Sequence, residues 1–483
     1  MSFLKTIFFP KNKNLFKYIF TLATPVIFSN ISRVLMGLMD LAMVKTLGAA
    51  AIAGVGFAGM IAWAPMSLGI AFRTGTQTFV ARRLGQKKYD RCSVAFRNMQ
   101  FFAIIIGLPI TFFCYTYTEP IISLFFTQSD NAIDLKAFKY CIEYASITFL
   151  GTYAMYVNFI FQGFYTGIEK TKIHMRTTIS SSLINLYLNV GLIFGTDFII
   201  NPSNNYILNK LSFLWTALPF PSEGMGVKGA AIGTLIATIC MAIHYFINLF
   251  EKEIINKYKV FKSDINIEML KRQIIIAFPV GMQEILSMMS LVVFYSIIKI
   301  IGTIELAATH VIFKIMHASF MPAIGVGQAC ATLVGKFLGE NNPDKSESAI
   351  NESLRGSMYI MGTIGILFIC CAQYIVPLFV NSTDSNVMAI AIPGLRFIGM
   401  LQIIDAVCFT LWFALTGAGD TKVPAMVDIL SHWIFFVPIS YLLGITFELG
   451  FWGPWIAFGM HLTFFSTYIY LRFKRGEWKK IIV

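Results

Sequence analysis

The 483-residue chain is 56% hydrophobic and only 13% charged, with a mean hydropathy of +0.69. Soluble domains carry about 25% charged residues, so the composition excludes one and points to a helical membrane protein. The net charge of +13 does not call for nucleic acid, because the basic residues fall in alternate connections, as the positive-inside rule expects.

Twelve apolar segments are expected near 15–44, 51–80, 93–117, 135–166, 173–197, 226–250, 270–299, 305–335, 350–380, 387–416, 422–445 and 450–473. Runs of about 20 residues suit membrane helices, whereas barrel strands alternate polarity over about 10. The amino-terminal stretch MSFLKTIFFPKNKNLFKYIF lacks a signal-type apolar run and cleavage site, so the first membrane helix is expected to direct insertion. Lys5, Lys11, Lys13 and Lys17 precede or open that helix, and Arg82, Arg83, Lys87, Lys88 and Arg91 follow the second. Further basic groups lie at 170–176, at 252–272 and in the tail at 472–480, whereas TQSDNAIDLKAFK and NSTDSN hold few. Both termini are therefore expected in the cytoplasm. Eight scattered cysteines without CxxC spacing read as small core hydrophobes.

The chain also repeats itself. Pro25 of LATPV aligns with Pro279 of IAFPV at a shift of 254, which also places Gly48 on Gly302, Leu84–Gly85 on Leu338–Gly339 and Asp90 on Asp344. TGIEKTK at 166–172 matches TGAGDTK at 416–422, and GVKGAA at 226 matches GFWGPW at 450. Two six-helix bundles follow, over 1–252 and 270–483, joined by a charged linker at about 251–269. An even helix number gives both the same orientation, so they form a parallel pseudo-symmetric pair. Transporters of this build hold substrate near the midplane and move one half against the other.

These motifs resemble the multidrug and toxic compound extrusion (MATE) family over nearly the whole chain. The resemblance rests on LATPVIFSN, GLMDLAMV, TGTQTFVARRLGQKK, QGFYTGIEKTK, NLYLNVGLIFG, GVKGAAIGT, GVGQACATLVGKFLGE and LTGAGDTKVPA, in this order and spacing. It implies an all-α integral membrane fold of two six-helix bundles in a V. It also implies export of organic cations and other amphipathic compounds in exchange for Na⁺ or H⁺.

The same resemblance gives roles to ionisable residues. Asp405 matches a tenth-helix aspartate used in the cation site of Na⁺-coupled members, and a carboxylate is a hard oxygen ligand or, protonated, a proton carrier. The alternative is a structural ion pair with Lys314, His317 or Arg396. Glu284 lies about one turn before the position where some members carry a seventh-helix glutamate, here Ser287. Asp40 matches a first-helix aspartate that carries a proton in one branch, but the fifth-helix pair that accompanies it reads Asn185 and Asn189. Asparagine cannot carry the proton, though its carbonyl can ligate Na⁺. Arg33, seven residues before Asp40, is the competing salt-bridge partner. Asn158 and Gln162 suit either a polar cavity wall or interhelical hydrogen bonds.

Arg73 is expected near the cytoplasmic end of helix 2, where it can snorkel. Asp428 and His432 share a helix face at i, i+4, a spacing that fits metal but fits a hydrogen-bonded structural pair better. No cofactor or metal is expected beyond the coupling ion, Na⁺ or H⁺, with Na⁺ placed at Asp405.

The reading is a monomeric secondary antiporter of a bacterial cytoplasmic (inner) membrane, in contact with small amphipathic substrates and membrane lipid but not nucleic acid. A lipid-linked saccharide flippase of the same superfamily competes, although such proteins have about fourteen helices and more cationic cavities. An intramembrane lipid-modifying enzyme would need clustered His, Asp or Cys, and the six histidines are dispersed in the sequence. No phosphate-binding G-x-x-x-x-G-K-[ST] loop is present for ATP-driven transport.

Overall fold

The computed structural model describes residues 10–125, 132–201, 209–262, 264–380 and 385–483. Lys5 and the centres of the two weakly basic loops, 126–131 and 381–384, lie outside the described residues. Twelve crossing elements are labelled in chain order. The first half contains α1 (Lys13–Lys45), α2 (Ala49–Gly85), α3 (Tyr89–Thr116), the two-piece α4 (Ala132–Leu150 and Thr152–Gly167), α5 (Thr171–Phe194) and α6 (Gly226–Asn248). The second contains α7 (Ile267–Ile301), α8 (Thr303–Gly339), α9 (Pro343–Ile375), α10 (Ser385–Ala418), α11 (Lys422–Thr446) and α12 (Trp452–Arg475).

Ten helices among the described residues are long and apolar enough to cross a membrane on their own. The other two crossings are α4 and α12. At the break in α4 the Gly151 amide bonds Thr148 O at 3.0 Å, a tightened i−3 link that ends the first piece. Helix α11 passes through π-helical turns at Ser431–Phe436 and Leu442–Thr446.

The sequence repeat reappears in the backbone. Asn12 caps α1 by accepting from Leu15 N at 3.0 Å, and Asn266, 254 residues on, caps α7 by accepting from Met269 N at 2.8 Å. Such caps satisfy amides that the first helical turn leaves unpaired. Lys87 and Asn341 form a second related pair, both left-handed at φ 58° and 57°. Only a turn that both halves require explains a lysine in that region.

The halves are joined at one end. Thr78 Oγ1 of α2 donates to Thr416 O at 3.0 Å, and its repeat mate Thr332 Oγ1 of α8 donates to Thr166 O at 3.2 Å. Gln77 Nε2 donates to Gln328 O and to Thr332 Oγ1, both at 2.8 Å. Helices α2 and α8 then cross at two repeat-related glycines. A Cβ on Gly85 would collide with the Lys336 carbonyl, and one on Gly339 with the Arg82 carbonyl. Arg82 and Lys336 are themselves repeat mates, so the contact is reciprocal about the pseudo-axis.

This joined end also carries the basic groups and both described chain ends. Lys336 pairs with Glu169 at 2.8 Å, Arg83 donates to Val483 O at 3.2 Å, and Lys11 N donates to Glu352 at 3.0 Å. The segment after α6 docks here too, with Lys170 bonding Glu251 at 3.0 Å and Arg97 bonding Val260 O at 3.1 Å. At the other end the helices part. Gly37 of α1 and Gly56 and Gly59 of α2 have open space beside them, and Leu35, Met39, Met60, Met289 and Val292 are exposed. The result is a V closed on the basic face.

Candidate functional site

Among the described residues, Asp40, Asp405 and Asp428 each mark a polar cluster inside the helical body. In the first half Asp40 of α1 is partly buried and accepts from Asn189 Nδ2 of α5 at 2.7 Å. The same amide group lies 3.2 Å from Asn185 Oδ1, and Asn185 donates to Thr234 Oγ1 of α6 at 3.2 Å. The i, i+4 spacing of the two asparagines on α5 puts both on Asp40's side. The expected alternative, an Asp40–Arg33 salt bridge, is not formed. Seven helical residues amount to about 10 Å of rise, too far for these side chains to meet along one face. Arg33 instead lies within electrostatic reach of Tyr245 and His174.

In the second half Asp405 of α10 is only 2% exposed, and its Oδ2 has no hydrogen-bond partner. The structural pairing expected for it is absent: Lys314, His317 and Arg396 are exposed, and none forms an ion pair with Asp405 among the described residues. Gln402, one turn earlier, is also buried with an unpartnered Nε2, while its Oε1 lies 3.4 Å from Ser319 Oγ. A buried carboxylate oxygen and an amide nitrogen, both unpartnered, thus lie one turn apart on α10. Leaving a buried acceptor unpaired costs about 1–3 kcal/mol, so stability alone does not account for Asp405.

The third cluster joins α7, α11 and α12. Asp428 Oδ2 accepts from Gln283 Nε2 at 2.9 Å and from Ser287 Oγ at 3.1 Å. Its Oδ1 lies 3.3 Å from His432 Nδ1, and the His461 ring of α12 stands 4.1 Å from that of His432. Glu284 sits beside this cluster, where the charges acting on it are Arg73 and Asp428. It thus stands with Asp428 and Arg73, and none of the three bonds Asp405 among the described residues.

Arg73 departs from its expected place at the helix end. It is 7% exposed, twelve residues from the end of α2, with its guanidinium 5.9 Å from both the Phe159 and Phe413 rings. Phe159 belongs to the first half and Phe413 to the second, so the cation sits in the seam at the floor of the V. The twelve residues between Arg73 and the end of α2 could have located it. His461 was missed because its partners lie on another helix, about 30 residues away. Gln162 and Asn158 make interhelical bonds: Gln162 Nε2 donates to Gln328 Oε1 at 3.1 Å across the halves, and Asn158 to Thr238 O at 2.9 Å. A groove of about 670 Å³ between α10, α11 and α12 is lined by apolar side chains such as Phe397, Phe435 and Phe464, and none of these carboxylates opens into it.

The comparisons with known proteins agree with the fold and its internal repeat. The MatE family model matches residues 25–190 and again 279–442, starting points that differ by the same 254 residues as the internal repeat. The chain is 24% identical to the "Probable multidrug resistance protein NorM" of Thermotoga maritima, over 96% of this chain and 93% of that protein. It is 23% identical to the "Probable multidrug resistance protein YoeA" of Bacillus subtilis, over 95% and 94% of the two chains. Among solved structures, a multidrug resistance MATE family transporter of the MOP superfamily in an outward-facing conformation superposes with a TM-score of 0.83. Its identity is 20%, and 97% of each chain is covered. The chain belongs to the MATE family, as a multi-pass membrane transporter and not an enzyme.

Proposed function

We propose that this transporter is a secondary antiporter that exports amphipathic, cationic organic compounds in exchange for Na⁺ or H⁺, with Asp405 as the coupling carboxylate. The observation that carries the reading is the buried, unpartnered Asp405 Oδ2. A bound cation removes a charge that is otherwise held in a low-dielectric interior at a cost of several kcal/mol. Ion binding therefore favours whichever conformation encloses this pocket, and a ligand shifts an equilibrium only through such differential affinity. Glu284 and Asp40, with Asn185 and Asn189, are secondary members of the coupling machinery, supported by the Asp40–Asn189–Asn185 bonds and by the charges of Arg73 and Asp428 around Glu284. The chain acts as a monomer in a bacterial inner membrane, with the basic closed face and both termini in the cytoplasm. Its bundles span 1–252 and 270–483. The V then opens outward, the state that releases cargo.

A second reading is favoured by one observation. Arg73 places a fixed cation at the seam, and Arg33 lies within its electrostatic reach. Such a floor suits an anionic or lipid-linked cargo better than a cation.

The test uses proteoliposomes loaded with ethidium or with an anionic dye, under an imposed Na⁺ or pH gradient, comparing wild type with Asp405→Asn. Ethidium efflux driven by one gradient is expected to fall at least about tenfold in the variant, a change of roughly 1.4 kcal/mol. Efflux that survives the substitution removes Asp405 from the coupling path. Movement of the anionic dye alone replaces the first reading with the second.

A further inference from the structure

We propose that Asp428, His432 and His461 form a binding site for a first-row transition-metal dication of the zinc class, bridging α11 and α12. The site uses different residues from Asp405 and does not depend on the antiport reading. Asp428 and His432 lie on one face of α11 at i, i+4, and His461 projects from the middle of α12. One candidate ligand atom from each residue lies within 4.8 Å of the others.

Four features separate this trio from an ordinary polar contact. First, the carboxylate is pre-oriented. Gln283 and Ser287 of α7 occupy Asp428 Oδ2, and Trp412 Nε1 of α10 holds Gln283 Oε1 at 3.3 Å. Oδ1 is left free of these donors, 3.3 Å from the His432 ring at Nδ1, the kind of orientation that outer-shell donors impose on metal-ligating carboxylates. Second, His432 Nδ1 lies 2.9 Å from the Asp428 carbonyl oxygen. The tautomer that donates this bond leaves Nε2 with a lone pair, as in histidines that ligate metal through one nitrogen and bond a carbonyl through the other.

Third, His461 is only 5% exposed and its Nδ1 has no partner. A metal ion would use a lone pair on this ring, whereas a purely structural triad leaves the nitrogen unsatisfied. Fourth, His432 sits in the π-helical turn Ser431–Phe436. Such turns appear mostly as single bulges inside α-helices, often at functional sites, and this one places the ring against α12.

The donor set is two imidazoles and one carboxylate. Borderline divalent ions such as Zn²⁺ and Co²⁺ take these ligands with an open fourth position, whereas Na⁺ and Mg²⁺ prefer an all-oxygen shell. The site therefore discriminates against the ions abundant around a transporter. Its occupancy would fasten α11 to α12 and, through Gln283 and Ser287, to α7, placing a dication beside Glu284.

The experiment uses the full-length protein in detergent, freed of any affinity tag and stripped with EDTA, then titrated with Co²⁺ or Zn²⁺. Calorimetry and the visible absorption of Co²⁺ report stoichiometry and ligand field. One equivalent is expected in wild type, with Zn²⁺ raising the melting temperature. His461→Gln, which keeps a polar side chain of similar length, should weaken binding at least about tenfold and abolish the thermal shift. Gln283→Leu should weaken it by about tenfold through loss of the outer-shell bond. His310→Ala, on α8 and outside the trio, should bind as wild type. No binding by wild type overturns the proposal, and so does binding unchanged in His461→Gln, which would place the metal elsewhere.

Discussion

In the first half the inward-facing aspartate has company: Asp40 accepts from Asn189, whose amide also reaches Asn185, which in turn bonds Thr234. In the second half Asp405 has none, and the hydrogen-bonded carboxylate is Asp428, on a different helix with histidines around it. Yet some contacts that join the two halves are repeated residue for residue, Thr78 with Thr332 and Gly85 with Gly339. Symmetry is kept at the glycine crossing and its threonine bonds and lost at the buried aspartates. The departures from the repeat fall on the carboxylates that the proposed antiport would use.

The largest way to break this comparison is at the crossing. Gly339→Val drives side-chain atoms into the Arg82 backbone and should cost the closed arrangement about 3 kcal/mol. A cysteine replacing Gln77 in a cysteine-free background should then react with a membrane-impermeant maleimide from the basic face, while the parent is protected. Continued protection would mean that the helices part without opening a path. A smaller effect separates the two aspartates. Asp40→Ala removes a charge-assisted hydrogen bond and should lower stability by about 2 kcal/mol. Asp405→Ala removes no bond and should leave the melting temperature unchanged or raise it. Equal destabilisation of the two would reveal a partner for Asp405 in solution.

The smallest effect sharpens the symmetry itself. Thr78→Ala and Thr332→Ala each remove one inter-half bond, worth about 1 kcal/mol. Thr332 also accepts from Gln77, so its loss should be the greater by roughly 0.5 kcal/mol. Denaturant unfolding of the two single variants and the double variant would measure both terms.

Much of the architecture was legible because it depends on local and periodic signals. Apolar runs marked the spans, and the spacing of Pro25 and Pro279 anticipated the duplication that the backbone turns at Lys87 and Asn341 display. The site was less legible, because its contacts join residues far apart in the chain. Asp428 and His432 announced themselves by helical spacing, but nothing near them in sequence pointed to His461. Arg33 looked like a partner for Asp40 because periodicity records the shared face and not the rise along the axis. Arg73 was read as a snorkelling cation because the sequence does not tell how deep in α2 the two halves meet. Lys314 seemed a natural counter-ion for Asp405, yet a linear pattern carries no information on which way two neighbouring helices turn their polar groups.

The glycine crossing also bears on insulation. Each of Gly85 and Gly339 seats against backbone of the partner helix, so neither helix can withdraw while the other stays engaged. Closure on the basic face is thus made or lost as a unit, which leaves little room for a half-parted intermediate. Under the proposed antiport, such an intermediate would be a short circuit, letting ions run down their gradient without moving cargo. Two residues with no side chain, placed by duplication on either side of one axis, would then be the seal against that leak.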